Sequence, residues 1–452
     1  MSYIDSYYRR TVASLPEIES LQDDMETSVC VIGGGLAGIS TALGLAERGV
    51  SVVLLEAERM GWGASGRNGG FISCGFSQNA LTLARKYGEP RAQQLYGLTQ
   101  QAYDLIQTRI KGHEAGIKEP GEGTVTASWF DDETGIRRYV DEMNRLFGEG
   151  LEFWPRQQMQ ESYLTKRYFD GFLKQKSQRF QSLNYALHTA DMARQAGAQL
   201  FENSRVTQVK PAPGANHRWR VTTPQGSVKA QHVVYACSGY IDDLHGKLSR
   251  ATLPVATYVL LTEPLGDRLE SAIKSPYGVS DNRFSSNYYR LVGDQQLLWG
   301  GRVSMFHPSQ EKLKSIMLKD LLSVYPQLEG IQGEVAWGGY MGYSVHKMPQ
   351  IRQLKPGEWC CQGFGGHGMV TTTMGGELIA AAISSEDDEY LLFKNFGLDY
   401  VGKPFGPIIA QLAYWAYQLQ DALQVSRFNR KHKRAGRAYS PCAARPKRWP
   451  MK

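Results

Sequence analysis

The sequence predicts an α/β protein with two domains, one built on a parallel β-sheet and one on a mainly antiparallel β-sheet. A strand, a glycine-rich turn, a helix and a second strand follow one another near the N-terminus, which is the order of a parallel β-α-β unit. Residues 251–340 alternate apolar and polar positions between turn signals, which is typical of an antiparallel sheet. The chain of 452 residues is long enough for both, since one domain usually takes about 100–200 residues.

The N-terminal unit has the order and spacing of a Rossmann fold. Residues 28–32 are a β-branched apolar run that predicts a buried strand, and the helical pattern after it ends at Gly49. A second predicted strand, 51–55, ends on the acidic residue Glu56. The turn between the first strand and the helix contains the G-x-G-x-x-G motif, which includes Gly33, Gly35, Leu36, Ala37 and Gly38.

Each position of this motif has a physical reason to bind a dinucleotide. Gly33 permits a tight turn, Gly35 lets the backbone approach a pyrophosphate, and Gly38 lets the helix pack closely on the strand. The helix start offers free N–H groups and a positive dipole to the phosphates, and Glu56 can accept hydrogen bonds from an adenosine ribose. An ordinary turn in a parallel sheet would not need all of these features in this order. We therefore predict a dinucleotide site, although the motif does not distinguish FAD from NAD.

A second glycine-rich segment, 61–70, follows the unit directly. Five of its ten residues are glycine, which is typical of a loop whose backbone runs close to another group. A flexible linker is the alternative, but it is less expected between a dinucleotide fold and an apolar segment. Arg67 and Asn68 could reach a phosphate or the heteroatoms of a ring. The candidate cofactor contacts in this loop are Ala64, Ser65, Arg67, Asn68, Gly69 and Gly70.

Two later segments return the chain to the predicted nucleotide site. The apolar strand at 231–240 breaks into a turn of small residues. Residues 359–369 form a strand and a glycine-rich turn, and a helix-like pattern over 371–383 follows. The free N–H groups at that helix start would stabilise negative charge. The candidate contacts here, with one from the strand-like stretch 205–210, are Val206, Ala236, Gly239, Gly365, Gly366, His367, Gly368 and Met369.

The second domain is predicted from two separated segments. A helical pattern over 81–114 and an aromatic-rich mixture of short elements up to 180 precede the antiparallel pattern. Aromatic side chains in sheets belong to the core more often than to a ligand site, so only some of them would line a pocket. We predict a discontinuous nucleotide-binding domain (1–85, 180–250 and 341–425), a substrate domain (86–179 and 251–340) and a basic, disordered tail (426–452).

Composition excludes several classes of protein. Hydrophobic residues make up 42% and charged residues 21% of the chain, as in soluble globular proteins, and no apolar stretch approaches the ~20 residues of a membrane span. The N-terminus lacks the apolar core of a signal peptide, so we expect a cytoplasmic protein. The six cysteines have no C-x-x-C spacing, and adjacent Cys360 and Cys361 would point to opposite faces of a strand. We expect neither a disulfide framework nor a metal site.

The net charge of +7 comes from the C-terminus. Residues 427–452 contain ten Lys or Arg and no acid, so +7 minus +10 leaves −3 for the rest of the chain. A last amphipathic helix is expected over 405–425, directly before this tail. The tail could touch nucleic acid or an anionic membrane. The alternative that we favour is a solvated extension, with no nucleic-acid partner.

Together these segments resemble the D-amino-acid oxidase superfamily of flavoproteins, which includes glycine and sarcosine oxidases. Within it, the resemblance is closest to the gamma-glutamylputrescine oxidase-like branch. It extends from about Tyr7 to Asp421 and follows the family's order of motifs. The matching segments are 31–38, Glu56, 63–70, 236–240, 300–302, 337–339 and 363–368.

The resemblance implies FAD, bound by a glutathione-reductase-like Rossmann domain, with the isoalloxazine ring between the two domains. It implies oxidation of the C–N bond of an amine, in which a hydride passes to flavin N5 and the imine hydrolyses to an aldehyde or keto acid. The turn at 365–369 resembles the one whose helix start faces the N1/O2 edge of the flavin, where it would favour the anionic reduced form. The implied partners are a small-molecule amine and O2 or another electron acceptor; no oligomeric state is predicted.

At several positions this sequence differs from the pattern of the family. Each difference bears on the expected substrate, the electron acceptor or the linkage of the flavin. Sarcosine-oxidase relatives hold the substrate carboxylate with a lysine where this chain has Val370, and they activate oxygen with a lysine where it has Leu298. Relatives that bind the flavin covalently use a cysteine just before the Cys360 region, where Gly339, Tyr340 and their neighbours offer none. We therefore expect non-covalent FAD, an amine rather than a simple α-amino acid as substrate, and either an oxidase or a dehydrogenase.

The remaining candidates concern catalysis. Arg302 could clamp a remote carboxylate, such as that of a gamma-glutamyl amine, and Tyr288 belongs to the aromatic set of the antiparallel sheet. His346 and Lys347 could lie near the ring, although a hydrogen-bonded core histidine and a surface lysine agree equally well with the sequence. Two other functions stay open: a glycine- or D-amino-acid-type oxidase or dehydrogenase, and a flavin-binding protein without turnover.

Overall fold

The computed structural model describes residues 2–117, 119, 122–212, 218–284, 286–293, 295–304, 309–402 and 406–434. The α-helices in these ranges are α1 (Tyr7–Thr11), α2 (Leu36–Glu47), α3 (Ala80–Tyr87), α4 (Glu89–Ile110), α5 (Glu114–Ile117), α6 (Glu133–Phe147), α7 (Arg156–Ser162), α8 (Ser182–Gln195), α9 (Gly246–Ala251), α10 (Gln310–Val324), α11 (Gly368–Ile383) and α12 (Gly406–Arg434). The strands are β1 (Met25–Ile32), β2 (Val52–Leu55), β3 (Phe71–Ser73), β4 (Thr124–Ala127), β5 (Glu152–Trp154), β6 (Gly171–Lys174), β7 (Ser177–Arg179), β8 (Gln199–Phe201), β9 (Gln208–Pro211), β10 (Trp219–Thr222), β11 (Ser227–Tyr235), β12 (Leu253–Thr262), β13 (Gly278–Asp281), β14 (Tyr288–Val292), β15 (Gln296–Ser304), β16 (Gly333–Tyr343), β17 (Gln350–Lys355) and β18 (Glu358–Gln362).

The first sheet is a parallel sheet with antiparallel additions. Its main order is β17-β18-β11-β1-β2-β8, and β1 runs parallel to both β11 and β2. Every residue of β2 is buried, as expected of a strand that is covered on both faces. Helices α2 and α11 pack against each other, and α8 packs on α2. The predicted Rossmann unit is confirmed by β1, α2 and β2.

The second sheet has the order β16-β12-β15-β14-β13-β4-β6-β5. Its strand pairs are antiparallel except for β13 and β4, which run parallel. Helix α10 covers one face, where Leu313, Met317 and Leu321 are buried in the same apolar cluster as Trp299. The predicted fold class, an α/β protein with a second, mainly antiparallel sheet, is confirmed.

The chain passes between the two sheets several times. Strands of the first sheet come from 25–55, 199–235 and 350–362, whereas those of the second come from 124–174 and 253–343. Helix α4, which lies in the segment assigned to the substrate domain, packs both on α6 and on α11. It therefore contacts the layers of both sheets, and the domain boundaries stay a prediction.

Two predicted helices differ from the observed ones. The helical pattern predicted over 81–114 is divided at Gly88, whose φ of +84° ends α3, and Pro90 stands in the first turn of α4. The helix predicted over 405–425 continues as α12 to Arg434. The first nine residues of the predicted tail, 426–434, thus belong to this helix, and the assignment of the tail as a separate disordered segment stays a prediction. The rest of that tail lies outside the described residues.

Candidate active site

A cavity of about 1390 Å³ lies between the two sheets. One side, which we call the cradle, consists of turns at the ends of parallel strands. The other side, which we call the sheet wall, consists of side chains on one face of the second sheet. Residues 33, 35–37, 56, 64–65, 67–69, 236 and 365–370 form the cradle, and Thr124, Thr126, Phe172, Lys174, Ser280 and Tyr288 form the sheet wall.

The cradle begins with the turn between β1 and α2, which requires glycine. Gly33 has a φ of +111°, and a Cβ there would lie 2.9 Å from the carbonyl oxygen of Ala236. A Cβ on Gly38 would overlap the carbonyl oxygen of Gly33. The motif therefore lets β1, α2 and the turn after β11 approach closely, and it leaves backbone rather than side chains facing the cavity.

Glu56 closes this turn from the end of β2. Its carboxylate accepts hydrogen bonds from the backbone N–H groups of Gly34 (2.5 Å) and Glu58 (2.8 Å). Burial raises the pKa of Glu56, and these two hydrogen bonds act in the opposite direction. Since Glu56 lines the cavity and each carboxylate oxygen can accept a further bond, a ribose hydroxyl could donate to it.

The loop after β2 is tied to α2 and to itself by side chains. Ser65 Oγ accepts a hydrogen bond from the Leu36 N–H in the first turn of α2 (2.9 Å). Asn68 Nδ2 donates to the carbonyl oxygens of Ala64 (3.0 Å) and Ser65 (2.9 Å). Asn68 Oδ1 accepts from the Gly70 N–H (2.7 Å). Asn68 therefore holds the loop in shape, and the loop backbone is what faces the cavity.

Arg67 is a buried cation within this loop. Its guanidinium lies 4.4 Å from the centre of the Trp62 ring and donates to the carbonyl oxygens of Trp62 and Gly338. Burial lowers the pKa of Arg67, and among the described residues no carboxylate is paired with it. Because Arg67 also lines the cavity, it supplies positive charge for an anionic group bound there.

Arg290 of β14 supports the same loop, and the sequence prediction missed this role. Its buried guanidinium donates to the carbonyl oxygens of Gly69 (2.8 Å) and Phe180 (2.8 Å). It is also paired with Glu119. Gly70, with a φ of +73°, has no room for a Cβ between Arg290 and Phe180. The sequence signal that could have revealed this role is a cation inside an aromatic and apolar strand.

The turn before α11 brings a helix start to the cavity. Gly365 has a φ of +60°, and a Cβ on Gly368 would meet no protein atom within 4 Å. His367 lines the cavity and is exposed to it, while the surrounding protein desolvates its ring. That desolvation, with the charge of Lys174, lowers the pKa of His367 to about 4. His367 is therefore neutral at neutral pH, and the helix start provides the positive potential.

The sheet wall is set by the register of its strands. Cross-strand pairing places its residues in two rows, which are Phe172–Thr126–Ser280–Tyr288 and Lys174–Thr124. Opposite Tyr288 stands Gly300, where a Cβ would overlap the tyrosine ring. The wall thus presents small hydroxyl side chains between a lysine at one end and a tyrosine at the other.

An ion pair that the sequence did not predict stands at one end of the wall. Lys174 Nζ lies 2.5 Å from a carboxylate oxygen of Glu149, whose side chain is 0% exposed, against 14% for Lys174. Lys174 also lies within hydrogen-bond distance of the carbonyl oxygen of Cys74 and the hydroxyl of Tyr96, at 3.2 Å each. Lys174 is therefore held by an ion pair and two hydrogen bonds to the protein. No local pattern signals this pair, because its members belong to separate elements.

Most predicted cofactor contacts meet at this cavity. The ones that line it are Gly33, Gly35, Leu36, Ala37, Glu56, Ala64, Ser65, Arg67, Asn68, Gly69, Val206, Ala236, Gly365, Gly366, His367, Gly368 and Met369. Gly38, Gly70 and Gly239 do not line it, and the first two are needed for close backbone packing instead. Of the catalytic candidates, Tyr288 lines the cavity, and Arg302 lies on β15 with its side chain outside the described part.

His346 and Lys347 lie away from the cavity. His346 Nδ1 accepts from the Met348 N–H (3.1 Å), so its Nε2–H donates to the carbonyl oxygen of Gly397 (2.9 Å). Lys347 occupies a tight turn after β16 with a φ of +60°. The structure thus corresponds to the alternative of a hydrogen-bonded histidine that stabilises a turn.

Solved structures confirm the fold. The glycine oxidase from Bacillus cereus ATCC 14579 superposes with a TM-score of 0.66 at 20% identity, covering 81% of this chain and 97% of that protein. The L-proline dehydrogenase from P. horikoshii superposes with the same TM-score of 0.66 at 17% identity, covering 82% and 99%. At these identities the likeness establishes the fold alone.

Sequence comparison identifies the family. Gamma-glutamylputrescine oxidoreductase from Escherichia coli (strain K12) is 30% identical over 430 residues, which are 94% of this chain and 99% of the relative. The probable oxidoreductase OrdL from Haemophilus influenzae is 30% identical over 423 residues, 91% of this chain and 95% of the relative. The model of the DAO family, described as FAD dependent oxidoreductase, matches residues 28–382. The predicted resemblance and the prediction of an amine-oxidising flavoenzyme are confirmed: this chain belongs to the DAO family of FAD-dependent oxidoreductases.

Proposed function

We propose that the protein oxidises the C–N bond of an amine whose carboxylate lies away from the reacting carbon, such as a gamma-glutamyl amine. The observation that carries this proposal is the apolar first turn of α11. Val370 lines the cavity there and is buried, where sarcosine-oxidase relatives carry the lysine for an α-carboxylate. Lys174, the cation on the opposite wall, is already paired with Glu149. The 30% identical relative from E. coli is named for a substrate of this class.

The cradle fits FAD. Gly35 and Gly368 line the cavity at the starts of α2 and α11, and a Cβ on Gly368 would meet no protein atom within 4 Å, so a phosphate and the ring could approach these helix starts. Glu56 would hold the ribose, and Arg67 would stand close to an anionic part of the cofactor. Bound FAD supplies the oxidant that accepts a hydride from the carbon next to the amine nitrogen.

Non-covalent binding is supported by the thiols of the cavity. Cys74 and Cys237 line it, and burial raises the pKa of each to about 12. Neither is a thiolate at neutral pH, and the thiolate is the nucleophile that a covalent link would need. Acid precipitation should therefore leave the flavin in the supernatant. Yellow colour retained by the denatured chain would contradict this part of the proposal.

The chain's own residues would bind and orient the amine rather than deprotonate the carbon. The carboxylates on the wall side of the cavity are already paired, Glu149 with Lys174 and Asp281 with Arg283. Because both of these carboxylates are engaged by cations, we propose that the amine binds in its neutral form. The hydroxyls of Thr126 and Ser280, which line the cavity, offer hydrogen bonds to it.

Arg302 is proposed to bind the remote carboxylate. It lies on β15, which pairs with β14 of the sheet wall, and its neighbour Gly301 lines the cavity. Arg302→Ala should therefore raise the KM for a gamma-glutamyl amine and leave that for the corresponding free diamine unchanged. Arg302→Lys, which keeps the charge, is the matched control. Equal losses with both amines would remove Arg302 from carboxylate recognition.

The function is tested by anaerobic mixing of the flavin-loaded protein with polyamines, gamma-glutamyl amines, N-methyl amino acids and glycine. Bleaching of the oxidised flavin band by gamma-glutamyl amines is the expected result. Bleaching by glycine or D-amino acids alone would favour the amino-acid-oxidase alternative, and no bleaching by any compound would favour a flavin protein without turnover. Adding O2 or an artificial acceptor to the reduced enzyme then separates an oxidase from a dehydrogenase.

A further inference from the structure

Helix α12 exposes an apolar stripe to solvent. Five large apolar side chains on it are between 49% and 62% exposed, namely Ile408, Leu412, Trp415, Leu419 and Leu423. Their spacing of three or four residues keeps them on one side of the helix, within a sector of roughly 80° at ~100° per residue. A contiguous exposed stripe of this kind marks an interaction surface, whereas single exposed apolar residues are ordinary.

The side chains of α12 that are buried in its described part are polar, which is the reverse of a usual surface helix. Gln411 and Asp421 are each 6% exposed. Asp421 Oδ1 accepts a hydrogen bond from the Phe284 N–H (3.3 Å), and Tyr414 lines the cavity. Burying polar side chains while exposing Leu and Trp costs free energy unless the apolar side has a partner of its own. The orientation of α12 therefore predicts that something apolar covers the stripe.

The sequence after the stripe specifies the charge of that partner. Residues 427–452 carry ten Lys or Arg and no acid, and Phe428 and Trp449 stand among them. None of the helices in the described ranges combines the length and apolar character of a bilayer crossing. An apolar stripe continued by a basic segment fits the boundary between the headgroups and acyl chains of an anionic lipid leaflet.

We propose that α12 and the basic segment after it dock the protein on an anionic phospholipid surface. The stripe enters the interfacial region, and the Lys and Arg residues bind the headgroups. A second copy of the chain fits the charge less well, since it would bring a second basic segment to the same face. Because Tyr414 belongs to both α12 and the cavity lining, docking would hold the cavity beside the membrane surface.

Co-flotation of the full-length, flavin-loaded protein with vesicles tests the proposal. We expect flotation with vesicles of phosphatidylcholine and phosphatidylglycerol, little flotation with phosphatidylcholine alone, and release by salt. The triple variant Leu412→Gln, Trp415→Gln, Leu419→Gln should lower binding at least about ten-fold, because it removes apolar area from the interface. The matched control Gln420→Ser, Gln424→Ser changes the same helix outside the stripe and should bind like the original protein.

Several outcomes would overturn the proposal. They are absence of flotation, equal flotation with neutral vesicles, and unchanged flotation of the triple variant. A protein that is dimeric without vesicles and monomeric as the triple variant would assign the stripe to a second copy. Binding to RNA or DNA in place of vesicles would assign the basic segment to nucleic acid. If the triple variant loses flavin or helical signal, Trp415→Gln alone and deletion of 435–452 give the same test, and each should weaken anionic binding.

Discussion

The cradle and the sheet wall face each other across one cavity, but the chain builds them in different ways. The cradle is made of backbone turns that follow parallel strands, each encoded in a contiguous glycine-rich stretch such as 33–38, 64–70 or 365–369. The sheet wall is made of single side chains that reach the cavity from β4, β6, β13 and β14. The cradle is thus specified by local conformation, whereas the sheet wall depends on the register of strands that are distant in sequence.

The largest loss of flavin content and stability is expected from substituting a cradle glycine that has no room for a Cβ. In Gly38→Ala the new Cβ would overlap the carbonyl oxygen of Gly33, so β1 and α2 could not keep their approach. We expect a protein that is insoluble or free of flavin. Gly97→Ala in α4 is the matched control, since a Cβ there meets no atom within 4 Å and alanine favours a helix by ~1 kcal/mol. Absorbance at the flavin band and thermal unfolding of both variants measure the difference; full flavin content in Gly38→Ala would refute the packing argument.

The second-largest effect is expected from breaking the ion pair between Lys174 and Glu149 beside the sheet wall. Lys174→Met leaves the Glu149 carboxylate buried without its partner, which costs about 3–5 kcal/mol of unfolding free energy. The double variant Lys174→Met, Glu149→Leu should recover most of that loss, because no unpaired charge remains. Urea unfolding followed by circular dichroism measures both. A double variant no more stable than the single one would show that the pair has another role.

A smaller effect, on the affinity for FAD, is expected at Gly368, where the cradle has room for a Cβ. Gly368→Ala adds a Cβ that meets no protein atom within 4 Å, so the apoprotein should unfold at an unchanged temperature. The same methyl group faces the proposed cofactor site, and we expect FAD to bind about ten-fold more weakly, a loss of ~1.4 kcal/mol. Titration of apoprotein with FAD, followed by flavin fluorescence, gives the affinity. A lowered unfolding temperature with unchanged affinity would assign Gly368 to packing.

The smallest effect is expected for His367, which should not change its protonation state near neutral pH. The pKa of His367 is about 4 in the folded protein against 6.5 for an ordinary histidine, so the unfolded chain takes up this proton first as pH falls. The folded state therefore loses stability from His367 as pH drops from about 6.5 towards 4, and His367→Gln should lack this contribution. NMR of labelled histidine, assigned with that variant, should show no His367 titration between pH 6 and pH 8. A midpoint near 6.5 would mean that the ring is hydrated and that Lys174 does not act on it.

Some features were predictable because the signal was local. The Rossmann unit follows from an apolar run, three spaced glycines and a terminal acid, and β1, α2 and β2 lie where these residues predict them. The division of the long helix at Gly88 was not recognised because apolar periodicity continues on both sides of it. The extension of α12 past 425 has no clear local signal, because a run of basic residues is typical both of a helix end and of a disordered segment.

Other features had no local signal. Arg290 donates a hydrogen bond to Gly69 in the loop after β2, although Arg290 itself lies on β14, and Glu119 is paired with Arg290. These contacts depend on how β14 packs on the cradle. The sequence left two possibilities for His346, and the hydrogen bond to Gly397 places it in a turn instead of the cavity. In both cases the deciding contact joins segments that are far apart in the chain.

By itself, the sequence determined the fold class, the dinucleotide cradle and the family, because glycine positions and strand patterns impose conformations within a few residues of themselves. Only the tertiary structure decided which side chains form the sheet wall, that Lys174 is neutralised by Glu149, and that α12 turns its apolar side outward. These properties arise from register and packing between distant segments, and their free energies depend on burial, which exists only in the folded chain.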